Sequence, residues 1–322
     1  MKRIVGLILG GVLGDTLGVS VEWESREALR QSPVIGLTAY GTHNQPMGTW
    51  SDDSSMILCT IESIIEGYAP QRLTSKFLQF MNEGRYTPDG NIFDIGIGTR
   101  AALMRAASNP KMLDTASDVD WVAPGGASIS DNGNGSLMRI APMIVLLKPL
   151  GQIQRYQLVK EVSGITHAHI RSVLACFYLC EYLLYLEEES DKFKAYRSVN
   201  ASFGKLFLLE QLNLPLSELE VFEKVLSGRI HELPEEEIHS TGYVIHTLES
   251  AMYCFLTTSS YREAVLTAVN LGSDTDTVGS VTGNLAGFYY GSSSLPQEWI
   301  SEVRRIEEIL ELAEQLEQVY EH

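Results

Sequence analysis

The chain has 322 residues, 44% of them hydrophobic, and a formal net charge of −17 from 24 basic and 41 acidic side chains. That length suits one large domain or two small ones, with enough apolar residues for a substantial core. The charge excludes broad electrostatic binding to DNA, RNA or anionic lipid, but not a nucleotide, since divalent cations can reverse the field locally.

The first predicted element is a helix near 2–18. The start, MKRIVGLILGGVLGDTLGVSVEW, has the basic pair and apolar run of a signal peptide. However, Asp15 interrupts the run and no A-x-A cleavage site follows. The run is also too short and too polar to span a membrane. Gly6, Gly10, Gly14 and Gly18 recur every fourth residue and form one bare helical stripe. The expectation is a buried first helix packed closely on another helix. These glycines make no dinucleotide fingerprint, because no strand precedes them and their spacing is wrong.

Helical periodicity continues near 53–67, 71–83, 94–108, 136–148, 152–163, 168–188, 192–208, 217–227, 240–257, 260–271, 277–290 and 297–319. Strand-like alternation is scarce. Two long polar, glycine-rich loops, PVIGLTAYGTHNQPMGTW and VAPGGASISDNGNGS, interrupt the helices and are of the kind that carries function on a rigid scaffold. No repeat or linker divides the chain. The tail EVRRIEEILELAEQLEQVY reads as an amphipathic helix packed on the domain. Cys59, Cys176, Cys180 and Cys254 sit in apolar runs without C-x-x-C or zinc-finger spacing, so they are expected to be buried free thiols of a cytoplasmic protein. The expected fold is all-α, one compact single domain over residues 1–322.

Two acidic clusters stand out within this pattern. GTWSDDSSM carries Ser51, Asp52 and Asp53, and NLGSDTDTVG carries Asp274, Asp276 and Thr277. Each leads into a helical stretch, and either cluster taken alone reads as a helix cap. Brought together by folding, they would supply four carboxylates and two hydroxyls, an all-oxygen set suited to Mg²⁺ or Mn²⁺. The second cluster is no EF-hand: counting from Asp274, Val278 replaces a ligand and Leu285 occupies the bidentate Glu position. HELPEEEIH at 231–239 is no zincin helix, because Pro234 breaks it and the spacing fails. His43 reads equally as a cleft residue or a turn residue.

The clusters keep particular company. GDTLGVSVEW at 14–23, YGTHNQPMGTWSDDSSM at 40–56, FDIGIGTR at 93–100, DNGNGSLMRIAP at 131–142, THAH at 166–169 and NLGSDTDTVGSVTGNLAG at 270–287 occur in that order. Together they closely resemble the ADP-ribosylglycohydrolase family, including its dinitrogenase-reductase-activating type. The resemblance runs from about residue 5 to residue 290. It implies an orthogonal helical bundle with a dinuclear centre of two Mg²⁺ or Mn²⁺ in a central cleft. It also implies hydrolysis of the bond between ADP-ribose C1″ and an acceptor, on an ADP-ribosylated protein or a small ADP-ribose conjugate, with no nucleic-acid or membrane partner.

Residue by residue, the resemblance assigns metal binding to Ser51, Asp52, Asp53, Asp274, Asp276 and Thr277. Serine at the first position, where threonine is common, keeps the oxygen ligand. Glu22 matches a glutamate that in part of the family reaches a metal or its water; catalytic roles are expected for Glu22, Asp94 and Asp276. The run Asn132, Gly133, Asn134, Gly135 and Ser136 matches the segment holding the diphosphate and distal ribose, and His167 a histidine near the same ligand. Asp94 matches a carboxylate that arginine-directed members place beside the acceptor guanidinium, so ADP-ribosyl-arginine is the expected substrate. Local readings stand beside these: Glu22 as an exposed loop acid, THAH as the cap of the helix beginning near Ile170, and Asp94 as the cap of the helix through IGTRAALMRAA. The rival function is a non-catalytic ADP-ribose binder or crystallin-like member of the same fold, which the completeness of the metal set disfavours; within the enzyme class the alternative is a hydrolase of serine-linked or small-molecule ADP-ribose conjugates.

Overall fold

A computed structural model describes residues 2–114 and 121–321. Its α-helices, in chain order, are α1 Arg3–Gly18, α2 Arg26–Gln31, α3 Asp52–Ile65, α4 Pro70–Glu83, α5 Ile97–Ala107, α6 Ile144–Leu147, α7 Gln152–Gly164 and α8 Ile170–Glu188, followed by α9 Lys192–Leu206, α10 Ser217–Val221, α11 Glu223–Leu226, α12 Val244–Thr257, α13 Tyr261–Val269, α14 Thr275–Tyr290, α15 Gln297–Ile300 and α16 Ile306–Glu321. Among the described residues the only β pairing is three isolated bridges. The fold is all-α, and one continuous apolar core runs from Ile4 to Leu316.

The glycine stripe explains the centre of the bundle. α1 and α14 lie antiparallel with their backbones in contact: a Cβ on Gly6 would stand 2.2 Å from the Gly287 carbonyl oxygen, on Gly10 2.3 Å from that of Gly283, and on Gly14 2.0 Å from that of Gly279. Only residues without a Cβ allow this approach. The partner stripe Gly279, Gly283 and Gly287 answers residue for residue. α12 and α13 pack on α14, α16 packs on α1 and α3, and α8 packs between α7, α9 and α12. The tail helix has a further task. Glu317 accepts a hydrogen bond from Val5 N–H at 2.8 Å, satisfying one of the free donors at the start of α1, which has no side-chain cap of its own.

Several predicted helices are broken where tertiary contacts or proline intervene. The segment 136–148 becomes two 3₁₀ turns, Leu137–Arg139 and Ala141–Met143, before α6, because Pro142 has no N–H to continue the ladder. The tail divides into α15 and α16: Arg304 N–H bonds the Gly48 carbonyl at 3.0 Å, and Arg305 adopts φ +50°. The segment 217–227 divides at the fully buried Phe222. The short α2, capped by Ser25, lies in a stretch where no helix is expected. All four cysteines are buried and free. Among the described residues no helix is long and apolar enough to cross a membrane.

Candidate active site

The starts of α3 and α14 meet at the end of α1. Gly18 closes α1 so tightly on α14 that a Cβ there would lie 2.3 Å from Asp276 N. Asp15, one residue beyond Gly14, is fully buried and reaches the start of α3. Its carboxylate accepts from Ser51 N–H at 3.0 Å and Ser54 N–H at 3.0 Å, and also from the Ser54 hydroxyl. A carboxylate at a helix N-terminus satisfies free N–H groups and complements the helix dipole. Burial raises Asp15 to about 6, against which these donors act. Asp15 thus fixes the first acidic cluster to α1. In the sequence it marks only an interruption of an apolar run; a lone acid on an otherwise apolar helix was the available signal.

The two clusters converge across this junction. Thr277 donates to Asp53 Oδ2 at 3.2 Å, and Ser51 donates to the same oxygen at 3.4 Å. Carboxylate oxygens of Glu22, Asp274 and Asp276 lie within 4.8 Å of one another. Asp52, Asp53, Asp94, Asp274, Asp276 and Thr277 line one cavity of about 460 Å³. The capping explanations divide. Ser51 does cap α3, accepting from Asp53 N–H at 3.3 Å. Asp274 occupies the cap position of α14 but makes no capping bond. Instead Asn134 Nδ2 donates to Asp274 at 2.6 Å and to Thr247 Oγ1 at 2.9 Å. Asp94 does not cap α5 either: Gly96 holds that position with no side-chain bond.

Electrostatics sets this cluster apart from a collection of caps. Burial first, then mutual repulsion, pushes Asp52, Asp53 and Asp276 well above the ordinary carboxylate range. Asp274 is raised as well, by burial against the hydrogen bond from Asn134. Asp53 Oδ1 is buried with no hydrogen-bond partner. Buried polar atoms are nearly always satisfied, so an orphaned carboxylate oxygen amid other carboxylates fits a site for cations. The donors are all oxygen, which matches hard divalent ions.

The cavity wall beside the cluster differs from the local reading of Glu22. That residue is 7% exposed, not a free loop acid, and pairs with His43 Nε2. His43 sits in the 3₁₀ turn Gly41–His43, between the rings of Trp23 and Phe93 at 5.0 and 5.1 Å, so it is both a turn residue and a support of the wall. Its partnership with Glu22 raises His43, while burial raises Glu22. Asp94 closes a Glu22–His43–Asp94 group whose ligand atoms lie within 4.8 Å of one another. Trp23 and Ser273 both adopt positive φ, +68° and +65°, and two backbone bonds tie their segments together: Trp23 N–H to Ser273 O at 2.6 Å, and Ser273 N–H to Glu24 O at 2.8 Å. Such backbone persists only where the surroundings enforce it. Trp23, exposed at the cavity edge, escaped the sequence reading because an aromatic residue after a loop acid carries no local signal.

Opposite this wall, Gly133, Asn134 and Gly135 line the cavity. The flanking Asn132 and Ser136 do not line it. Asn132 donates to Ile129 O at 2.8 Å, and Ser136 is fully buried and accepts from Ser163 Oγ at 2.9 Å. His167 stands behind the loop, with Nε2 3.1 Å from a Cβ placed on Gly98 and 3.2 Å from one on Gly133. His169, not His167, caps α8, accepting from Arg171 N–H at 3.2 Å.

A solved structure, an ADP-ribosylglycohydrolase-related protein complex, aligns with TM-score 0.78 and 28% identity over 99% of this chain and 98% of that one. Fold and acidic cleft together are those of a helical glycohydrolase. The family model described as ADP-ribosylglycohydrolase matches residues 1–322, and the chain belongs to that family. Among curated relatives, ADP-ribosylarginine hydrolase Tri1 of Serratia proteamaculans is 31% identical over 319 residues, covering 98% of this chain and 79% of the relative. ADP-ribosylhydrolase ARH3 of Homo sapiens is 24% identical, covering 100% and 94%.

Proposed function

We propose that this enzyme is a metal-dependent hydrolase that removes ADP-ribose from arginine side chains. The observation that carries the reading is the convergence of both acidic clusters on one cavity whose wall holds Asp94 beside Glu22. The 31% identical relative, named for ADP-ribosylarginine, supports the acceptor.

Asp52, Asp53, Asp274, Asp276 and Thr277 would hold two Mg²⁺ or Mn²⁺, with Ser51 behind Asp53. The four carboxylates of Asp52, Asp53, Asp274 and Asp276 balance the four charges of two divalent ions, while Asp15 is answered by the N–H groups of α3 and Glu22 by His43. Such ions, when bound, supply Lewis acidity, lowering the pKa of a water and holding vicinal ribose hydroxyls. The chain's own groups do the rest. The backbone N–H groups of Gly133 and Gly135 approach the diphosphate, which a bare backbone permits, while that of Asn134 is given to Gly242 O at 3.1 Å. Breaking the glycosidic bond develops positive charge on the ribose, which the surrounding carboxylates favour. The attacking water loses a proton and the departing guanidine gains one. Glu22, held by His43 and within 4.8 Å of Asp274 and Asp276, would exchange them. Asp94 pairs with the acceptor guanidinium through two parallel charge-assisted bonds, whereas a serine oxygen offers it no such two-bond cationic partner.

Release from arginine-linked and serine-linked substrates, compared side by side, tests the acceptor. Arginine is expected to be faster, and faster release from serine would refute the preference. Asp94→Asn is expected to lower kcat for the arginine substrate by roughly 10- to 100-fold, about 1.4 to 2.7 kcal/mol, while ADP-ribose affinity stays within about 2-fold. Unchanged kcat would return Asp94 to a structural part.

The loop has its own test. ADP-ribose at about 100 times its Kd is expected to stabilise the wild type by about 2.7 kcal/mol, seen as a raised Tm. In Gly135→Val the first added carbon would lie 2.7 Å from His167 Cε1 and 2.8 Å from Thr99 Oγ1, where the ligand is expected. That variant is expected to lose the protection, as is a bulky substitution at Gly133. Full protection in both variants would remove the loop from the ligand site.

A further inference from the structure

Beneath the glycine loop lies a cation that the reading above does not use. Arg139 is fully buried. Its guanidinium sits over the Phe77 ring at 4.5 Å, and Nη2 donates to Val162 O at 3.2 Å and to Thr166 Oγ1 at 2.8 Å. Thr166 is 1% exposed, and its hydroxyl meets His167 Nδ1 at 2.9 Å. Among the described residues no other partner of that hydroxyl exists.

The order of donors along this chain follows from chemistry. Arginine has donors and no acceptor, so Thr166 Oγ1 must accept from it. The threonine hydroxyl keeps one proton, which a buried group must place on an acceptor. The one acceptor in reach is His167 Nδ1. A neutral imidazole that accepts at Nδ1 carries its proton on Nε2. The opposite tautomer would set two donors on Thr166 and leave its own O–H unpaired in the core, the costly outcome for a buried polar group. His167 is held neutral, lowered to about 4 by burial and then by the Arg139 charge, so one tautomer is chosen at pH 7.

We propose that Arg139 and Thr166 are positioning residues that fix the tautomer of His167, so that its Nε2–H faces the cleft as a hydrogen-bond donor between Gly98, Gly133 and Gly135. Nε2 lies 3.1, 3.2 and 3.5 Å from Cβ positions built on those three glycines, which line the cavity. The ligand chemistry that fits is an anionic or ether oxygen. Its identification with ADP-ribose oxygens rests on the function proposed above; the tautomer does not. A fixed donor beside a bare-backbone loop adds to the N–H groups there without bringing a charge that would compete with divalent ions for the carboxylates.

Two-bond ¹H–¹⁵N correlation spectra of the ligand-free wild type read the tautomer directly. Protonated Nε2 and pyridine-like Nδ1 on His167 are expected; protonated Nδ1, or an even mixture, overturns the proposal. Thr166→Val removes the relay hydroxyl at nearly constant volume. It is expected to shift His167 toward the other tautomer and to weaken ADP-ribose binding, measured by calorimetry, by roughly 10-fold, the value of one hydrogen bond to a charged oxygen. Thr166→Ser is expected to restore both readings. An unchanged His167 spectrum in a folded Thr166→Val protein overturns the relay. If that variant does not fold, the wild-type spectrum and the Thr166→Ser protein decide. A wild type with the expected tautomer but no affinity for ADP-ribose would support the relay and refute the function proposed above, so the two failures are distinguishable.

Discussion

Asp276→Asn is expected to lower kcat/KM by at least about 100-fold, about 2.7 kcal/mol, and to weaken Mn²⁺ binding while leaving the helical circular-dichroism spectrum unchanged. Asp276 is 2% exposed and faces Glu22 and Asp274 across the junction of α1 and α14. Without cations its ionised form is disfavoured, chiefly by burial and then by the neighbouring carboxylates. Neutral Asn relieves that repulsion, so the apo variant should melt no lower than apo wild type. It also removes one anionic ligand, so the metal-loaded variant should lose most of the stabilisation that Mn²⁺ gives the wild type. The apo melting curve therefore holds or rises while the metal-loaded one falls, which a mere packing residue would not produce. Asp274→Asn is expected to behave alike, with the bond from Asn134 at 2.6 Å disturbed as well. Calorimetry showing no Mg²⁺ or Mn²⁺ bound to wild type at millimolar concentration would refute the metal-dependent mechanism. Because these carboxylates hold protons that a cation must displace, metal affinity is expected to rise with pH across the range above their ordinary values.

The second large effect is on stability. Gly14→Ala would place a methyl 2.0 Å from the carbonyl oxygen of Gly279. That obstacle is backbone, so no side-chain rotation relieves it, and α1 must move off α14. Overpacking of this kind costs about 3 kcal/mol or more, a fall in Tm on the order of 5 °C for a chain of this size. The separation also carries Asp15 away from Ser51 and Ser54, so metal binding should weaken although no ligand has changed. Gly204→Ala is the control: it lies in α9, where an added Cβ meets nothing within 4 Å, and it is expected to leave Tm unchanged or raise it slightly. Equal melting of Gly14→Ala and wild type would show that the glycine contact between α1 and α14 is dispensable.

Local pattern was enough for the helical class and for the stripe at Gly6, Gly10, Gly14 and Gly18, because helix periodicity and the absence of a Cβ are properties of neighbouring residues. It was enough, too, for the oxygen-only chemistry of Ser51–Asp53 and Asp274–Thr277, since ligand hardness belongs to the side chains themselves. Whether those clusters cap helices or meet each other was a question of tertiary structure. Their separation along the chain exceeds 220 residues, and only the close approach of α1 to α14 brings Thr277 to Asp53. The same packing decided that Asn134 holds Asp274, that Ser136 turns into the core and that Glu22 is buried against His43. It placed Glu317, from the far end of the chain, on the first turn of α1, and Arg139 beneath His167. Each of these is a hydrogen bond across a large loop, specified by which surfaces pack and not by spacing along the sequence. That is why the kinds of residue in the site were legible from the chain, and their partners only from the fold.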